Sequence, residues 1–458
     1  MPLLLLVRTA RSMNIPETSR VPWPALLLTV MALVAMILFR LLGSEWTLPY
    51  LIAAVTVISI AIWQACDPFA DAAQWIGNSL RLPGSVRGAT LDAVSSSMPE
   101  LFSGIFFVLA AISAGDGEPQ SLVDAGAEGF GATIATCAGS AVYNMILIPA
   151  ACALVISFRR KEHPVIDVDP EVIFRDGLWF VMCEMVLILF LFQDTMRWWM
   201  ALVLIAGYLL YIAHLVRDAR LYRERMGLLK RYLASRPDDL AVRKIIGEMA
   251  SDGYRVSRTM VAKARGELEK SGDDEEDHES AGVFFNYWHV RLNHMTAWAI
   301  IAIATLAAAI ACYCLVEVTR ATAEYLEVPT FFVAVILAAA ASSVPDTLLS
   351  IGSAMRGDDG GAISNAFGSN IFDICICLSI PLLINSYLTG WQPVSLLQDG
   401  EPIPGLLGLR ILLVGLTVAT LALMWWQQQL TRNKALLLCG LYGVFIAYAV
   451  LGSLQVGW

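Results

Sequence analysis

Ser96-Ser97-Met98-Pro99-Glu100 and Ser342-Ser343-Val344-Pro345-Asp346 decide how this chain is read. Both are Ser-Ser-x-Pro-acid, and both lie within long apolar runs. A second pair follows in the next apolar run of each half: Gly139-Ser140-Ala141-Val142-Tyr143-Asn144 and Gly368-Ser369-Asn370-Ile371-Phe372-Asp373. Two matched signals in the same order mark the two halves as copies of one unit.

The rest of the chain shows what kind of unit this is. Of 458 residues, 57% are apolar and only 16% are charged, and the mean hydropathy is +0.64. These values exclude an ordinary soluble domain, and with it the secreted and nucleic-acid-binding classes. A channel, a transporter or a membrane enzyme remains. The net charge of −9 sums loops of opposite sign and says little about partners. The nine cysteines sit mostly in apolar tracts and include no Cys-x-x-Cys, so they read as small packed side chains and not as a disulfide framework or a zinc site.

Stretches long enough to cross a hydrocarbon core fall near residues 24–43, 48–78, 83–113, 128–156, 174–193, 197–216, 296–320, 327–355, 360–386, 408–426 and 434–453. The expected fold is an all-α membrane protein of eleven transmembrane helices, one extra N-terminal span plus two inverted five-helix repeats. Residues 1–46 hold the N-terminus and the extra span, which follows Arg8, Arg11 and Arg20 and shows no small-residue cleavage site. The first repeat covers 47–216, with motifs at 93–104 and 139–144; a polar loop covers 217–290; the second repeat covers 291–458, with motifs at 339–350 and 368–373.

Fourteen of the 31 Lys and Arg residues lie between Arg217 and Lys270, which places that loop in the cytoplasm. Arg81, Arg87, Arg159, Arg160, Lys161, Arg432 and Lys434 fall on the same side, and Asp116 and Glu118 on the other. The N-terminus is then cytoplasmic and the C-terminus opposite, in the plasma (inner) membrane. An odd number of spans per repeat forces the second to run opposite to the first, the architecture of secondary transporters with a binding site at the midplane.

Within the motifs the chemistry is that of oxygen. Pro99 and Pro345 each remove a backbone donor and interrupt a helix one residue before an acid. Such a break is tolerated in a membrane only where protein, water or an ion satisfies the freed groups. Ser96 and Glu100, Ser140 and Asn144, Ser342 and Asp346, and Ser369 and Asp373 are each four residues apart, so each pair shares a helix face. Hydroxyls, carboxylates and an amide without sulfur or imidazole suit calcium or sodium and not zinc or copper.

An acid at mid-span costs about 2.5–3.5 kcal/mol on insertion scales. No Lys or Arg stands among the motif residues, so cations or protons are the expected counter-charges for Glu100, Asp346 and Asp373. Blander readings compete at single positions. Ser140 and Ser369 suit close helix packing, Asn144 suits a helix-to-helix hydrogen bond, and the run Asp273–Asp277 suits a solvated linker. Leu221–Leu233 reads as a charged amphipathic surface helix. For a lone kink the bland reading would win; its repetition in both halves argues against it.

At these residues the sequence resembles the calcium/cation antiporter superfamily, whose two inverted repeats carry a Gly-Thr-Ser-x-Pro-Glu type motif and a Gly-Ser-Asn type motif on successive helices. Asp373, closing GSNIFD, makes it most similar to the potassium-dependent sodium/calcium exchanger branch. The resemblance implies that Glu100 and Asp346 are the central calcium ligands, also open to sodium. It implies hydroxyl or backbone oxygens from Ser96, Ser97, Ser342 and Ser343, and carbonyls from Ala93 and Ala339. Ser140, Asn144, Ser369 and Asp373 complete the flanking sites, with Asp373 linked to potassium. Calcium, sodium and potassium are then cargo, and no cofactor is expected.

The motifs depart from the family pattern where Ser95 and Ala341 replace the opening Gly. The first half also has a longer separation between its motifs, expected as an outer loop around Ala114–Gly129. The function this implies is exchange of calcium for sodium by alternating access, with potassium as a companion ion. A calcium/proton antiporter of the same fold and a cation channel are the alternatives. An enzyme is not expected: no HExxH or GxSxG lies in the spans and no His in the motif helices.

Overall fold

The computed structural model describes residues 23–80, 82–115, 119–161, 163–235, 242–251, 253, 254, 256, 260, 261, 264, 265, 280–398, 401, 402 and 406–453. Arg8, Arg11, Arg20, Arg81, Asp116, Glu118 and the run Asp273–Asp277 lie outside the described residues.

Long uninterrupted apolar sequence becomes helix because a backbone in hydrocarbon must satisfy itself. The helical segments are α1 (Trp23–Leu42), α2 (Thr47–Ser79), α3 (84–114), α4 (119–159), α5 (170–191), α6 (Trp198–Ala234), α7 (Val242–Ser251), α8 (His294–Leu326), α9 (330–355), α10 (359–388), α11 (Leu406–Trp425) and α12 (Arg432–Ser453). Among the described residues, nine helices are long and apolar enough to cross a membrane, and α11 adds a shorter apolar helix, Ile411–Trp425. The chain is thus a mostly helical, multi-pass integral membrane protein. In α5 the regular helix Leu178–Leu191 is preceded by a π-helical turn, Ile173–Gly177.

One expectation needs correction. The additional residues between the motifs of the first half do not form an outer loop: they extend α3 to Ala114, and α4 is already helical from Pro119. The matching elements of the second half are shorter, Val344–Met355 and Asp359–Phe372. Pro119 opens α4, where a proline suits the first turn, and no other proline occurs before Pro149. The added length therefore propagates a helix. Helix α6 continues unbroken to Ala234. Leu221–Leu233 is helical, as expected, and its Met226 and Leu229 bury against Ile245 and Met249 of α7.

The same succession of local structures occurs twice. In α3 a π-helical turn, Gly88–Asp92, leads into the short helix Ala93–Ser96, a break at Ser97 (φ −96°, ψ 7°) and a new helix from Met98. In α9 the turn Ala334–Ala338 leads into Ala339–Ser342, a break at Ser343 (φ −84°, ψ 4°) and a new helix from Val344. Pro99 and Pro345 each stand in the first turn of the new helix, where the missing N–H breaks no intrahelical bond. Both GS helices then widen into π turns as their motifs close, Tyr143–Leu147 in α4 and Asp373–Cys377 in α10.

Helix α10 packs on the π turn of α3, and α4 on the π turn of α9. These four helices form the protein's centre. The long helices α2 and α8 pack along each other at one side, and α1 lies outside α2 with Trp23, Leu27, Met31 and Val34 exposed, as suits a helix facing lipid.

Two-stranded pairs lash the connections. β1 (Ile166–Asp167) pairs with β8 (Gln429–Leu430), and β2 (Thr195–Met196) with β5 (Val394–Ser395); β3 (Ser280–Val283) and β4 (Trp288–Arg291) form a hairpin, as do β6 (Leu397–Gln398) and β7 (Glu401–Pro402). All nine cysteines are free and seven are buried, in keeping with packed side chains.

Candidate ion-binding centre

The two chain breaks bring the acids together. Glu100 and Asp346 each occupy the first turn of a helix that restarts after a break, where free backbone N–H groups and the helix dipole favour negative charge. The π turns at the ends of the GS motifs carry Asn144 and Asp373. Ser96, Ser97, Glu100, Ser140, Asn144, Ser342, Ser343, Asp346, Ser369 and Asp373 are all buried, as are Ala93 and Ala339.

Hydrogen bonds cross between the halves. Ser96 Oγ donates to Asp346 Oδ1 at 2.5 Å, and Ser369 Oγ donates to the same oxygen at 2.5 Å. On the other carboxylate, Ser343 Oγ and Ser140 Oγ each lie 3.2 Å from Glu100 Oε1. Each central acid is therefore served by the first motif of the opposite half and by a GS serine. Ser140 also reaches Asp373 Oδ2 at 2.9 Å and Ser343 Oγ at 2.9 Å, and it accepts from Asn144 Nδ2 at 3.2 Å. The hydroxyl of Ser342 also faces Glu100.

Seven of the other ten expected site residues thus gather around the two central acids. The remaining three differ. Ser97 Oγ is buried without a partner, so its hydroxyl is uncommitted. The carbonyls of Ala93 and Ala339 accept the amides of Ser97 and Ser343 at 3.0 and 3.1 Å, and the hydroxyls of Ser96 and Ser342 also lie 3.3 and 3.2 Å from them.

What these contacts leave open matters most. Glu100 Oε2, Asp346 Oδ2, Asp373 Oδ1 and Asn144 Oδ1 are buried and have no hydrogen-bond donor. A buried carboxylate oxygen with no donor is costly unless a cation or proton completes it. All four atoms are hard oxygen acceptors, the chemistry of calcium and sodium. The nearby basic residue Arg87, at the start of α3, is engaged elsewhere: it pairs with Asp92 at 3.3 Å and with Asp358 at 3.2 Å.

Close packing holds the frame. A Cβ on Gly139 would fall on the Val335 carbonyl oxygen, and one on Gly368 would lie 2.7 Å from Ala89 Cα and O. Each GS glycine thus lets its helix touch the π turn of the other half.

Residues 50–217 and 296–451 match the family described as sodium/calcium exchanger protein. The chain belongs to that family. Among its curated relatives, human sodium/potassium/calcium exchanger 5 is 26% identical over 76% of this chain and 72% of its own length. Human sodium/potassium/calcium exchanger 3 is 29% identical over 34% of the chain, and mouse sodium/potassium/calcium exchanger 4 is 31% identical over 32%. The chain spans only about a fifth of exchanger 3's length, 21%. Among solved structures, the sodium-calcium exchanger NCX_Mj aligns with a TM-score of 0.50 at 15% identity, covering 87% of this chain and 97% of that one. This family member shares that fold.

Some polar residues of this exchanger-family chain escaped the sequence reading. Asn370 Nδ2 donates to the Ala141 carbonyl at 3.1 Å, tying the two GS helices together. Thr347 Oγ1 reaches Tyr143 Oη at 3.2 Å. Glu184, a lone acid inside the apolar run of α5, is buried and accepts from Thr417 at 3.0 Å. Its signal was plain in sequence, an acid at mid-span, but it belongs to neither motif.

Proposed function

We propose that this chain is a secondary active antiporter that exchanges calcium for sodium by alternating access, with potassium carried alongside calcium. The observation that carries this reading is the set of unpartnered oxygens on Glu100, Asp346, Asp373 and Asn144 within one buried centre. Glu100 and Asp346 are the shared central ligands, alternately holding calcium and sodium. Ser96, Ser97, Ser342 and Ser343 supply hydroxyls or backbone oxygens, and Ala93 and Ala339 supply carbonyls. Ser140, Asn144, Ser369 and Asp373 form the flanking positions.

Charge accounts for the companion ion. Calcium and potassium together bring three positive charges to three carboxylates, and neutrality is what a buried, low-dielectric site requires. The names of the sodium/potassium/calcium exchangers among the relatives support this assignment.

The same reading takes the fold as eleven spans, one followed by two five-helix repeats of opposite orientation, with the N-terminus and the 217–290 segment in the cytoplasm and the C-terminus across the plasma (inner) membrane. The strand pairs support it. β1–β8 joins two connections that this topology puts inside, and β2–β5 joins two that it puts outside.

The test is radiolabelled calcium uptake into proteoliposomes loaded with sodium, with and without potassium, and then with a pH gradient alone. Sodium-dependent uptake that Glu100→Gln or Asp346→Asn abolishes is expected. Uptake driven by pH alone would instead make the protein a calcium/proton antiporter, and calcium flux with no counter-ion would make it a channel.

A further inference from the structure

The hairpin β3–β4, at the end of the polar segment, is an element that ion exchange does not explain. Its tip reads Phe284-Phe285-Asn286-Tyr287 and is followed by Trp288. Phe284, Phe285 and Asn286 all have left-handed backbone, with φ of 52°, 55° and 56°. For residues with a Cβ this conformation is disfavoured, so something must hold it.

What holds it is the inner flank of the helix pair. Gly282 N–H donates to Asp71 Oδ2 at 3.0 Å and Phe285 N–H to Gln64 Oε1 at 2.6 Å, both on α2. The Phe285 ring, 5% exposed, buries with Ala25 and Ile60 and meets Trp63 edge-on at 6.0 Å. Ala281 packs with Ala72 and Ala297. Of the two adjacent phenyl rings, which meet edge-on at 5.4 Å, only that of Phe285 is covered. Phe285 points into the protein, while Phe284, Tyr287 and Trp288 remain 53%, 64% and 59% exposed.

We propose that this exposed face is seated in the interfacial zone of the bilayer, in the leaflet on the side of the polar segment, so that the hairpin is a lipid-held anchor clasping the loop to α2. Three observations choose lipid as the occupant. Phe285 clusters with Ala25, against which Leu26 and Leu28 also pack, so the tip stands beside the first turns of α1. The exposed aromatics continue an apolar surface already offered by Trp23 of α1 and by Met295 and Trp298 of α8. Aromatic bodies with polar edges prefer this depth, and exposed His289 and Arg291 on β4 suit the headgroups just above it. The anchor does not depend on which ions are carried.

The test places an environment-sensitive fluorophore on the tip of the full-length protein. Cys314 and Cys439, the cysteines that are not fully buried, are replaced by Ser, and Tyr287→Cys or, separately, Phe284→Cys is labelled with nitrobenzoxadiazole. The protein is reconstituted into phosphatidylcholine/phosphatidylglycerol vesicles. Quenching by lipids spin-labelled near the headgroup is expected, with little quenching by aqueous iodide. A control label at Arg231→Cys, on the exposed extension of α6, should show the reverse. Quenching of the tip by iodide alone, or protection from both quenchers because protein covers it, overturns the proposal. Both tip sites are surface positions, and an unchanged thermal unfolding temperature in detergent shows that the labelled proteins are folded.

Discussion

The hydroxyl of Ser140 lies 2.9 Å from Asp373 Oδ2 and 3.2 Å from Glu100 Oε1, so two acids from different halves of the chain face one proton. A hydroxyl donates only one hydrogen bond. Its counterpart Ser369 has a single acid, Asp346, at 2.5 Å. The two central carboxylates are thus unequal although their motifs are alike: Asp346 has two hydroxyls at 2.5 Å, and Glu100 has Ser140 and Ser343 at 3.2 Å and shares the first with Asp373. Two differences between the halves bear on this inequality: Glu100 is one methylene longer than Asp346, and Asp373 stands where the first half has Asn144.

The second difference sets the first prediction. In Asp373→Asn, Ser140 is freed to donate to Glu100 and one negative charge is lost. The ratio of calcium uptake with potassium to uptake without it should fall toward one, while sodium-driven calcium uptake persists. An unchanged ratio would separate Asp373 from potassium.

Ser369→Ala deletes a short, charge-assisted bond to Asp346 without touching a carboxylate. Such a bond is worth about 1.5–3 kcal/mol, and loss of a group that orients a metal ligand typically weakens binding roughly 10–100-fold. The calcium concentration for half-maximal uptake should rise within that range. Ser96→Ala should shift it in the same direction but less, because the Ser96 hydroxyl meets the same oxygen yet also lies 2.8 Å from the Asp92 carbonyl.

The glycine contacts predict a packing defect. Gly139→Ala puts a methyl on the Val335 carbonyl and Gly368→Ala puts one on Ala89, and overpacking of this kind costs about 1–3 kcal/mol. Either variant should unfold at lower temperature in detergent and lose transport. Gly207→Ala, with open space around it, should do neither.

Arg87 is expected to matter for stability rather than for ions. Its partner Asp92 is 1% exposed, and removing one member of a buried pair costs about 3–5 kcal/mol because the other charge is left behind. Arg87→Ala should be strongly destabilised in thermal unfolding, and adding Asp92→Asn should recover part of the loss. No recovery would mean that the contact with Asp358 is the one that counts.

Much of the site was readable because its signals are local. An acid beside a proline in an apolar run is anomalous wherever it occurs, and the four-residue spacing of Ser96 with Glu100 places both on one face before any fold is known. The π turns carrying Asn144 and Asp373 were not readable, since widening a helix by one residue leaves no mark in composition or periodicity. The length of α4 was misjudged for a related reason: Gly126, Gly129 and Gly131 look like a loop by propensity, yet burial against neighbouring helices keeps them helical. The β3–β4 hairpin was hidden inside a segment judged by its charge.

From the residues alone followed the membrane environment, the doubled motif and the three acids, because hydropathy and the cost of a buried charge depend only on what each stretch is made of. Which hydroxyl serves which carboxylate was decided by the tertiary structure. Ser96 finds Asp346, Ser343 finds Glu100, and Ser140 is divided between two acids only because the GS glycines let helices from opposite halves approach backbone to backbone. Hydrogen bonds are short-ranged and directional, so such partners exist only once the helices have crossed.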